Sequence, residues 1–323
     1  MGCGKPETFT PCCWDTTKPL EEKLPFKDPI VEVGFGNGDF TVELAKRFPE
    51  SPVLGVDRWH PGVRALVHKC QNEGLKNLFV FNLDANLFVQ YLLKPAQAAA
   101  FYFNYPDPYF KKKDIEKGRR LLRAPFLKWL ALKLKDGGKV YFRTDVKDYF
   151  DYVLEEVKKV GDLFEVKFEF DWDLPPTKYE RKALKEGRRP HKLLLIKRAS
   201  PPLEDKEVEP LRAVKISSYD LSVLRPGLEL KDPKRGYFMK VERTYRGEGV
   251  DLVETFVGEE GFYQHLFVGI FRTKDGFVVK PKSFAVGVRS VSWMVENLAR
   301  LLEGKGEGQT EEGSSTSTQT PLR

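Results

Sequence analysis

The stretch Glu32-Val33-Gly34-Phe35-Gly36-Asn37-Gly38 decides the fold of this chain, because an apolar run leads straight into closely spaced glycines. Glycines directly after the first strand of a parallel sheet let the backbone approach a ligand closely. A dinucleotide fingerprint, GxGxxG, would need a third glycine where this chain has Asp39. The spacing is GxGxG instead, so the stretch predicts a ligand-binding turn without deciding which nucleoside cofactor it holds.

Around this turn, short apolar runs alternate with amphipathic stretches. The predicted strands are 29–34, 52–56, 78–82, 98–104 and 138–144, and the predicted helices are 41–48, 62–73, 85–93, 114–135 and 148–160. Repeated strand-then-helix units indicate a doubly wound parallel sheet. The further apolar runs 164–170 and 192–198 would close it with an antiparallel pair. The prediction is an α/β domain with a mostly parallel, seven-stranded sheet.

A Pro-rich, charged stretch that begins at Ser200 marks a predicted domain boundary. The predicted organisation is an N-terminal segment (1–28), the α/β domain (29–200), a smaller C-terminal β-rich α+β domain (203–303) and a disordered tail (304–323). Apolar runs in the second domain predict antiparallel strands, and 291–302 predicts a terminal helix. Its aromatic residues are interpreted as core rather than as a binding surface: Tyr237, Phe238, Tyr245, Phe262, Tyr263 and Phe284.

The positive charge of the chain is local. The 323 residues carry a net charge of +7, and residues 101–150 alone carry +7, whereas residues 201–323 carry −1. A basic segment of this kind is typical of a protein with a polyanionic partner. With 41% hydrophobic and 31% charged residues, the composition excludes a fibrous or disordered protein.

The termini and cysteines predict a cytoplasmic protein without a membrane anchor. No apolar run is long enough for a membrane span, and the N-terminus lacks the apolar core of a signal peptide. In a reducing compartment the cysteines are expected to be free thiols, and their spacing indicates no metal site. These cysteines are Cys3, Cys12, Cys13 and Cys70.

Carboxylates accompany the first three predicted strands: Glu32 in the first, Asp57 at the end of the second and Asp84 after the third. Because parallel strands end at the same edge of a sheet, these acids are expected around the glycine turn. An acid after the second strand is the expected partner of ribose hydroxyls. Several carboxylates would repel a pyrophosphate and attract a cationic cofactor without phosphates. S-adenosylmethionine is such a cofactor.

A second motif, Asn104-Tyr105-Pro106-Asp107-Pro108-Tyr109-Phe110, follows the fourth predicted strand. Its two prolines cannot continue a strand or helix, so they predict a rigid loop that holds Asp107 at the same edge. Tyr109 and Phe110 offer faces for a base taken out of its stack. Two basic clusters are interpreted as RNA-binding. The first contains Lys111, Lys112, Lys113, Lys117, Arg119, Arg120 and Arg123, and the second contains Lys178, Arg181, Lys182, Lys185, Arg188, Arg189 and Lys192.

Taken in order, these motifs resemble the TrmB-type tRNA (guanine-N7)-methyltransferases. The matching segments are 32–38, 57, 84–85, 103–113, 119–122, 143–145 and 176–182, within about residues 29–198. The resemblance implies a Rossmann-like class I S-adenosylmethionine-dependent methyltransferase fold. It also implies methylation of the variable-loop guanosine at position 46 of tRNA. No protein partner is evident from the sequence.

The resemblance also implies roles for individual residues. Those implied to bind the cofactor are Glu32, Gly34, Gly36, Gly38, Asp57, Asp84, Ala85 and Asp107. Those implied to bind tRNA are Lys111, Asp145, Thr177, Lys178, Tyr179 and Glu180. Asp107 is the predicted catalytic residue. Guanine N7 has a lone pair and no proton, so Asp107 is expected to stabilise the methylated ring or accept from N1 and N2 of guanine, rather than to act as a base.

The chain departs from the family pattern at one aromatic and one acidic position. Other functions also remain open. Tyr109 stands where the family usually has Trp, and Asp57 where it commonly has Glu. An exocyclic-amine methyltransferase would have two adjacent prolines, which Asp107 separates here. A non-catalytic RNA-binding protein on the same fold would have disrupted cofactor residues. A nicotinamide dehydrogenase is disfavoured by Asp39 and by the acidic pocket.

Overall fold

The computed structural model describes Cys12 and residues 19–111, 119–168, 176–259 and 261–304. The chain divides into two compact units. The first runs as far as Pro210 and also includes Gly261–Tyr263 and Phe284–Val288. The second contains Leu211–Glu260, Gln264–Ser283 and the residues from Arg289 onward. The predicted tail after Gly304 lies outside the described residues.

The first unit contains a seven-stranded sheet with the order β3-β2-β1-β4-β5-β7-β6. Neighbouring strands are parallel except for β7, which runs antiparallel to both β5 and β6. The predicted mostly parallel sheet with an antiparallel pair is confirmed. Its strands are β1 (Ile30–Val33), β2 (Val53–Val56), β3 (Leu78–Phe81), β4 (Ala98–Asn104), β5 (Leu134–Thr144), β6 (Phe164–Lys167) and β7 (His191–Lys197).

Helices follow most of these strands. Helix α3 continues into a π-helical turn, Phe88–Leu92, and a 3-10 turn, Gly161–Leu163, leads into β6. None of the helices in the described ranges is long and apolar enough to cross a membrane. The helices are α1 (Asp39–Arg47), α2 (His60–Asn72), α3 (Ala85–Leu87), α4 (Ala124–Lys133), α5 (Lys147–Lys158) and α6 (Lys178–Lys185).

Helix α4 is shorter than the predicted helix 114–135. It begins at Ala124, with Pro125 in its first turn, and the chain passes directly into β5 at Leu134. Proline lacks the amide hydrogen that would continue a helix through this point, whereas in a first turn that hydrogen has no helical partner. The prediction was therefore wrong for residues 119–123, and residues 112–118 lie outside the described part.

The second unit is built on a six-stranded sheet with the order β8-β13-β12-β11-β10-β9. Helix α7 (Arg289–Leu302) buries an apolar stripe that includes Met294, and the hydroxyl of Thr255 on β11 lies 3.2 Å from the Met294 sulfur. The face of the sheet that turns away from α7 is called the outer face below. The strands are β8 (Val214–Ile216), β9 (Glu229–Asp232), β10 (Tyr237–Tyr245), β11 (Val250–Glu259), β12 (Phe262–Thr273) and β13 (Gly276–Pro281).

The aromatic residues of this part of the chain do not all lie in a core. Phe262 is buried but belongs to the first unit, and Tyr245 and Tyr263 are 41% and 50% exposed. Tyr263 alternates along β12 with the buried residues Phe262 and Gln264. Tyr245 lies on the other face from buried Met239 and Val241 because the register of β10 shifts between Val241 and Arg243. The interpretation of these two tyrosines as core was wrong.

Cys12 and Cys70 form a disulfide, with their Cα atoms 5.6 Å apart. The backbone amide of Cys12 donates to the carbonyl of Leu78 at the start of β3, which brings residue 12 beside α2. The expectation of free thiols was wrong for this pair, because two cysteines separated by 58 residues reveal their proximity only in the fold. Cys3 and Cys13 lie outside the described residues.

Candidate active site

The predicted site residues of the first unit gather along one edge of its sheet. Strands β1 to β5 are parallel, so their carboxyl ends share that edge. The glycine turn follows β1, Asp57 follows β2, Asp84 follows β3, the loop with Asp107 follows β4, and Asp145 follows β5. Loops at the carboxyl ends of such strands are where doubly wound sheets bind ligands.

The glycine turn leaves open space above its backbone. Gly34, Gly36 and Gly38 have φ angles of 75°, 57° and 80°, a region that favours glycine. A Cβ atom added to Gly34 or Gly36 would meet nothing within 4 Å, whereas one on Gly38 would lie 2.6 Å from Leu66 Cδ1. The first two glycines thus present backbone to a ligand, and Gly38 lets α1 begin against α2.

Gly62, which the sequence analysis missed, belongs to the same turn. A Cβ atom at Gly62 would lie 2.0 Å from the carbonyl oxygen of Gly36. The first turn of α2 can therefore rest against the glycine turn only because residue 62 has no side chain. The signal in the sequence was a glycine shortly after Asp57, at the start of a helix.

The acid after β2 is oriented by backbone amides. Gly36 N–H donates to one oxygen of Asp57 and Trp59 N–H donates to the other, each at 2.9 Å. The Trp59 side chain is 55% exposed beside this carboxylate, and the sequence analysis had not singled it out. Asp57 is thereby held at the mouth of the glycine turn, next to an accessible aromatic ring.

The acid after β3 caps the following helix. Asp84 accepts a hydrogen bond of 2.8 Å from the Asn86 amide, and its other oxygen lies 3.2 Å from the Arg58 guanidinium. Burial raises the pKa of the Asp84 carboxyl, and the Arg58 ion pair opposes that rise. Ala85 is the first residue of the helix that Asp84 caps.

A buried polar chain connects the two halves of the edge, and it consists of Thr41, Glu32, Asn104, Arg143 and Glu180. Thr41 donates to Glu32 at 2.6 Å, and the Asn104 amide donates to the other Glu32 oxygen at 2.8 Å. Arg143 Nε donates to the Asn104 carbonyl oxygen at 2.7 Å, and Arg143 Nη1 donates to Glu180. The chain runs from β1 through β4 and β5 to α6.

The Glu32 carboxyl is only 1% exposed. Burial raises its pKa to about 7, although hydrogen bonds from Thr41 and Asn104 and the charge of Arg143 favour the ionised form. Asp57 adds a repulsive charge that also raises the pKa. Glu32 is thus a carboxyl whose charge changes near neutral pH, with both oxygens already occupied by protein donors.

The loop that carries Asp107 is held in a demanding conformation. Tyr105 and Tyr109, on either side of the two prolines, have φ angles of 53° and 42°. Such angles are costly for bulky residues and persist where the surroundings enforce them. The Tyr105 amide donates to the Arg143 carbonyl at 2.9 Å, which ties the loop to β5. Asp107 itself is exposed, so its carboxylate is accessible to a ligand.

Arg120 holds the far side of this loop. Its Nε donates to the carbonyl of Pro108 at 2.6 Å, and its guanidinium lies over the rings of Tyr152 and Tyr149, at 4.4 and 5.2 Å from their centroids. Arg120 is 6% exposed, so its interpretation as an RNA contact was wrong. Lys111 and Arg119 are exposed as that interpretation requires. Lys112, Lys113 and Lys117 lie outside the described residues.

The residues predicted to bind tRNA have varied surroundings. Asp145 pairs with Arg188, and the Thr177 hydroxyl caps α6 by accepting from the Glu180 amide at 3.1 Å. Glu180 is 5% exposed, at the end of the buried polar chain. The side chains of Lys178 and Tyr179 lie outside the described part. The RNA contacts assigned to these residues stay predictions.

A cavity of about 500 Å³ lies between α1 and the start of α6. Its lining includes Asp39 and Phe40 at the start of α1, Lys69 on α2, and Thr177 and Arg181 from the α6 region. Lys69 Nζ donates to the Asn37 carbonyl at 2.7 Å and pairs with Asp39. The cavity thus lies between α1, the helix that follows the glycine turn, and the segment that was predicted to contact tRNA.

Comparison with known proteins places this site in a class. Residues 27–193, which contain the glycine turn, the acids and the Asp107 loop, match the family described as a putative methyltransferase. The fold and the site therefore define a methyltransferase of the doubly wound type.

Curated relatives narrow that class. A tRNA (guanine-N(7)-)-methyltransferase of Aquifex aeolicus is 33% identical over 299 residues, which cover 90% of this chain and 99% of that protein. One of Thermus thermophilus is 30% identical over 290 residues, covering 86% of this chain and 89% of that protein. One of Jannaschia is 34% identical over 196 residues, covering 58% and 81%. The chain belongs to the tRNA (guanine-N(7)-)-methyltransferase family.

Proposed function

We propose that this protein transfers a methyl group from S-adenosylmethionine to N7 of a guanine in tRNA, the variable-loop guanosine at position 46. One observation carries the proposal: an exposed Asp107 on a constrained loop stands at the same sheet edge as an open glycine turn lined by carboxylates. The family membership supplies the substrate class. A tRNA substrate would place the reaction in the cytoplasm.

The residues around the glycine turn fit S-adenosylmethionine. The open backbone at Gly34 and Gly36 gives a nucleoside room, and the fixed Asp57 carboxylate is suited to ribose hydroxyls. Trp59 follows β2, as Asp57 does, and Asp84 follows the neighbouring strand β3. When bound, the cofactor supplies a methyl group on a positively charged sulfur, and a pocket with several carboxylates favours such a cation.

The chain's own contribution to the reaction is alignment. Guanine N7 carries a free lone pair, so no residue has to remove a proton before the nitrogen attacks the methyl carbon. The cofactor held by these residues would supply the methyl group and would keep the electron pair of its sulfur–carbon bond. The guanine ring becomes positive, and the Asp107 carboxylate stabilises that charge or orients the base through N1 and N2.

Basic side chains beside the site are suited to the phosphates of tRNA. Lys111 and Arg119 are exposed next to the Asp107 loop, and Arg181, Lys185 and Arg189 are exposed around α6. Contacts from such residues release counterions, so binding should weaken as salt is raised. Arg188 is engaged by Asp145 and Glu186, which makes it a support of this surface.

The test is to incubate the protein with methyl-labelled S-adenosylmethionine and an unmodified tRNA transcript and to locate the label. Methylation at N7 makes the RNA strand break after borohydride and aniline treatment, so scission should occur at the labelled guanosine. The matched control is the same transcript with adenosine at position 46. Label without scission, or equal labelling of the control transcript, would contradict the proposed function.

A further inference from the structure

We propose that the outer face of the second unit's sheet binds unpaired bases of RNA by stacking. The proposal rests on the proposed function in one respect, since it takes tRNA as the RNA that the protein meets. It adds a second contact surface in the unit that the predicted site residues leave unused.

The first observation is a row of aromatic rings on the outer face. His265 stacks on Phe256 with centroids 4.7 Å apart, and it lies 5.7 Å from the ring of Phe267. The Tyr245 ring is 6.3 Å from Phe267. The rings thus form one continuous group across β10, β11 and β12. Phe271, further along β12, also occupies an outer-face position.

The second observation is that two of these rings, Tyr245 and His265, are accessible and held in place. Tyr245 is 41% exposed, and the His265 side chain is 44% exposed. The Tyr245 hydroxyl donates to one oxygen of Glu254 at 2.6 Å, and His265 Nε2 lies 2.9 Å from the other. One carboxylate therefore fixes the orientation of both rings, which reduces the entropy that a stacking partner would otherwise have to overcome.

The third observation is the charge on this face. The strand registers and ring contacts assign the basic residues Lys215, Lys231, Lys240, Arg243, Lys280 and Lys282 to the outer face, against the acids Glu229, Glu242 and Glu254. The outer face thus carries more basic than acidic residues, although residues 201–323 together are nearly neutral.

The lysines also stand in the right place relative to the rings. The ammonium groups of Lys280 and Lys282 lie 5.0 and 5.6 Å from the centroid of Phe271. Aromatic faces with flanking lysines are what proteins use to hold single-stranded nucleic acid, because every base has a stackable face and every nucleotide a phosphate. An apolar protein partner would gain nothing from this charge, so the occupant that fits is unpaired RNA.

The experiment measures binding of a fluorescent oligouridylate to the full-length protein by anisotropy. Tyr245→Leu should weaken binding about tenfold, since one stacked base is lost. Tyr245→Phe keeps the ring and should bind within about twofold of wild type. Equal affinity of the wild-type protein and the Leu variant would overturn the proposal.

A charge-matched pair of variants separates this face from general electrostatics. Lys280→Ala with Lys282→Ala should lower the salt slope of binding by roughly 1.4, because two phosphate contacts are lost. Arg212→Ala with Arg300→Ala removes the same charge beside or on α7, where Arg212 pairs with Glu296, and should leave the slope unchanged. Equal slopes for the two double variants would overturn the proposal.

Two further readouts distinguish this proposal from its alternatives. A dimer in sedimentation that Tyr245→Leu dissociates, with oligouridylate binding unaffected, would show that a second copy occupies the face and would overturn the proposal. Transfer of label to tRNA by the wild-type protein is measured in parallel. If tRNA is labelled but the outer-face variants bind RNA as tightly as the wild type, this proposal fails and the proposed function stands. If the outer-face variants lose RNA binding but no tRNA is labelled, the proposed function fails and this proposal stands.

Discussion

The two sheets of this protein use their side chains in different ways. In the first unit, parallel strands bring the loops with Asp57, Asp84 and Asp107 to one edge, and a buried polar chain holds that edge together. In the second unit, neighbouring strands run in opposite directions, so the loops are divided between two edges and the group around Tyr245 lies on a face. A buried, connected edge should respond strongly to single substitutions, whereas an exposed face should respond weakly.

The largest expected effect is on the buried polar chain. Arg143→Met should lower the free energy of unfolding by about 3 kcal/mol, because buried Glu180 loses its guanidinium partner and keeps only Lys192, whose Nζ lies 3.4 Å away. Chemical unfolding measures this. Lys158→Met, which breaks an exposed pair with Glu155, is the control and should have little effect. Similar losses of stability for the two variants would contradict the expected difference between buried and exposed polar groups.

A second variant tests whether the buried polar chain contributes to catalysis as well as to folding. In Arg143→Met combined with Glu180→Leu, no buried charge is left unpaired, so stability should largely return. Methyl transfer should stay low, because Asn104, which directly precedes the Asp107 loop, loses the hydrogen bond from Arg143 Nε that orients its side chain. Full recovery of both stability and activity would mean that the buried polar chain contributes only to folding.

The next effect concerns chemistry at the edge. Asp107→Ala should slow methyl transfer by roughly a hundredfold or more, the magnitude seen when one charge-stabilising group is removed from an active site. Binding of the cofactor, measured by calorimetry, should change little. Asp136→Ala, a substitution of a 97% exposed acid in β5, serves as the control. Turnover close to that of the control would contradict the assignment of Asp107 as the catalytic residue.

Glu32 predicts a pH dependence of stability. Its pKa in the folded protein is raised from 4.5 to about 7, so the folded state binds the proton more tightly than the unfolded chain does. Stability should therefore fall as pH rises from about 4.5 to about 7 and then level off. Glu32→Gln should lack this fall, while Glu43→Gln on α1 should keep it. The groups that face Glu32 are Thr41, Asn104, Arg143 and Asp57.

A smaller effect separates exposed from buried basic residues next to Asp107. Lys111→Ala should lower the salt slope of tRNA binding by about 1, because one phosphate contact is lost. Arg120→Ala should leave the slope unchanged and lower the rate, since buried Arg120 holds the Pro108 carbonyl. Lys76→Ala, before β3 at the opposite sheet edge, is the control. An unchanged slope for Lys111→Ala would argue against an RNA contact there.

The smallest effect is expected on the outer face. Glu254→Gln keeps an acceptor for the Tyr245 hydroxyl, and the residue belongs to an exposed cluster of side chains. The midpoint of thermal unfolding should therefore equal that of the wild type within experimental error. Thermal unfolding followed by circular dichroism measures this. A drop comparable to that of Arg143→Met would show that the face is as tightly connected as the edge.

Much of the first unit could be predicted because its signals are local. The apolar runs and the glycine spacing predicted the parallel sheet and the positions of Asp57, Asp84 and Asp107 at its edge, and the structure confirms that arrangement. The resemblance named Glu180 as a tRNA contact, but its burial against Arg143 depends on how α6 meets β5, which no spacing in the sequence reveals. The same holds for Arg120, whose charge was visible and whose burial under two tyrosines was not.

The second unit was harder to predict because alternation shows two faces without showing which one a helix covers. Met239 and Tyr245 are six residues apart on β10, so strict alternation would place them on the same face. The register shift between Val241 and Arg243 is what leaves Met239 buried and Tyr245 exposed. Net charge misled in the same way, since a total of −1 for residues 201–323 contains no information about how lysines are distributed between faces.

The disulfide between Cys12 and Cys70 turns the early part of the chain into a covalent ring. That ring contains β1, the glycine turn, α1, β2, Asp57 and Gly62, so a protease that cuts once between the two cysteines opens the ring without releasing a fragment. Under oxidising conditions the nicked protein would migrate as one molecule, and only a reductant would separate its pieces. The glycine turn and Asp57 therefore lie in a part of the chain that a single cut between the two cysteines cannot remove.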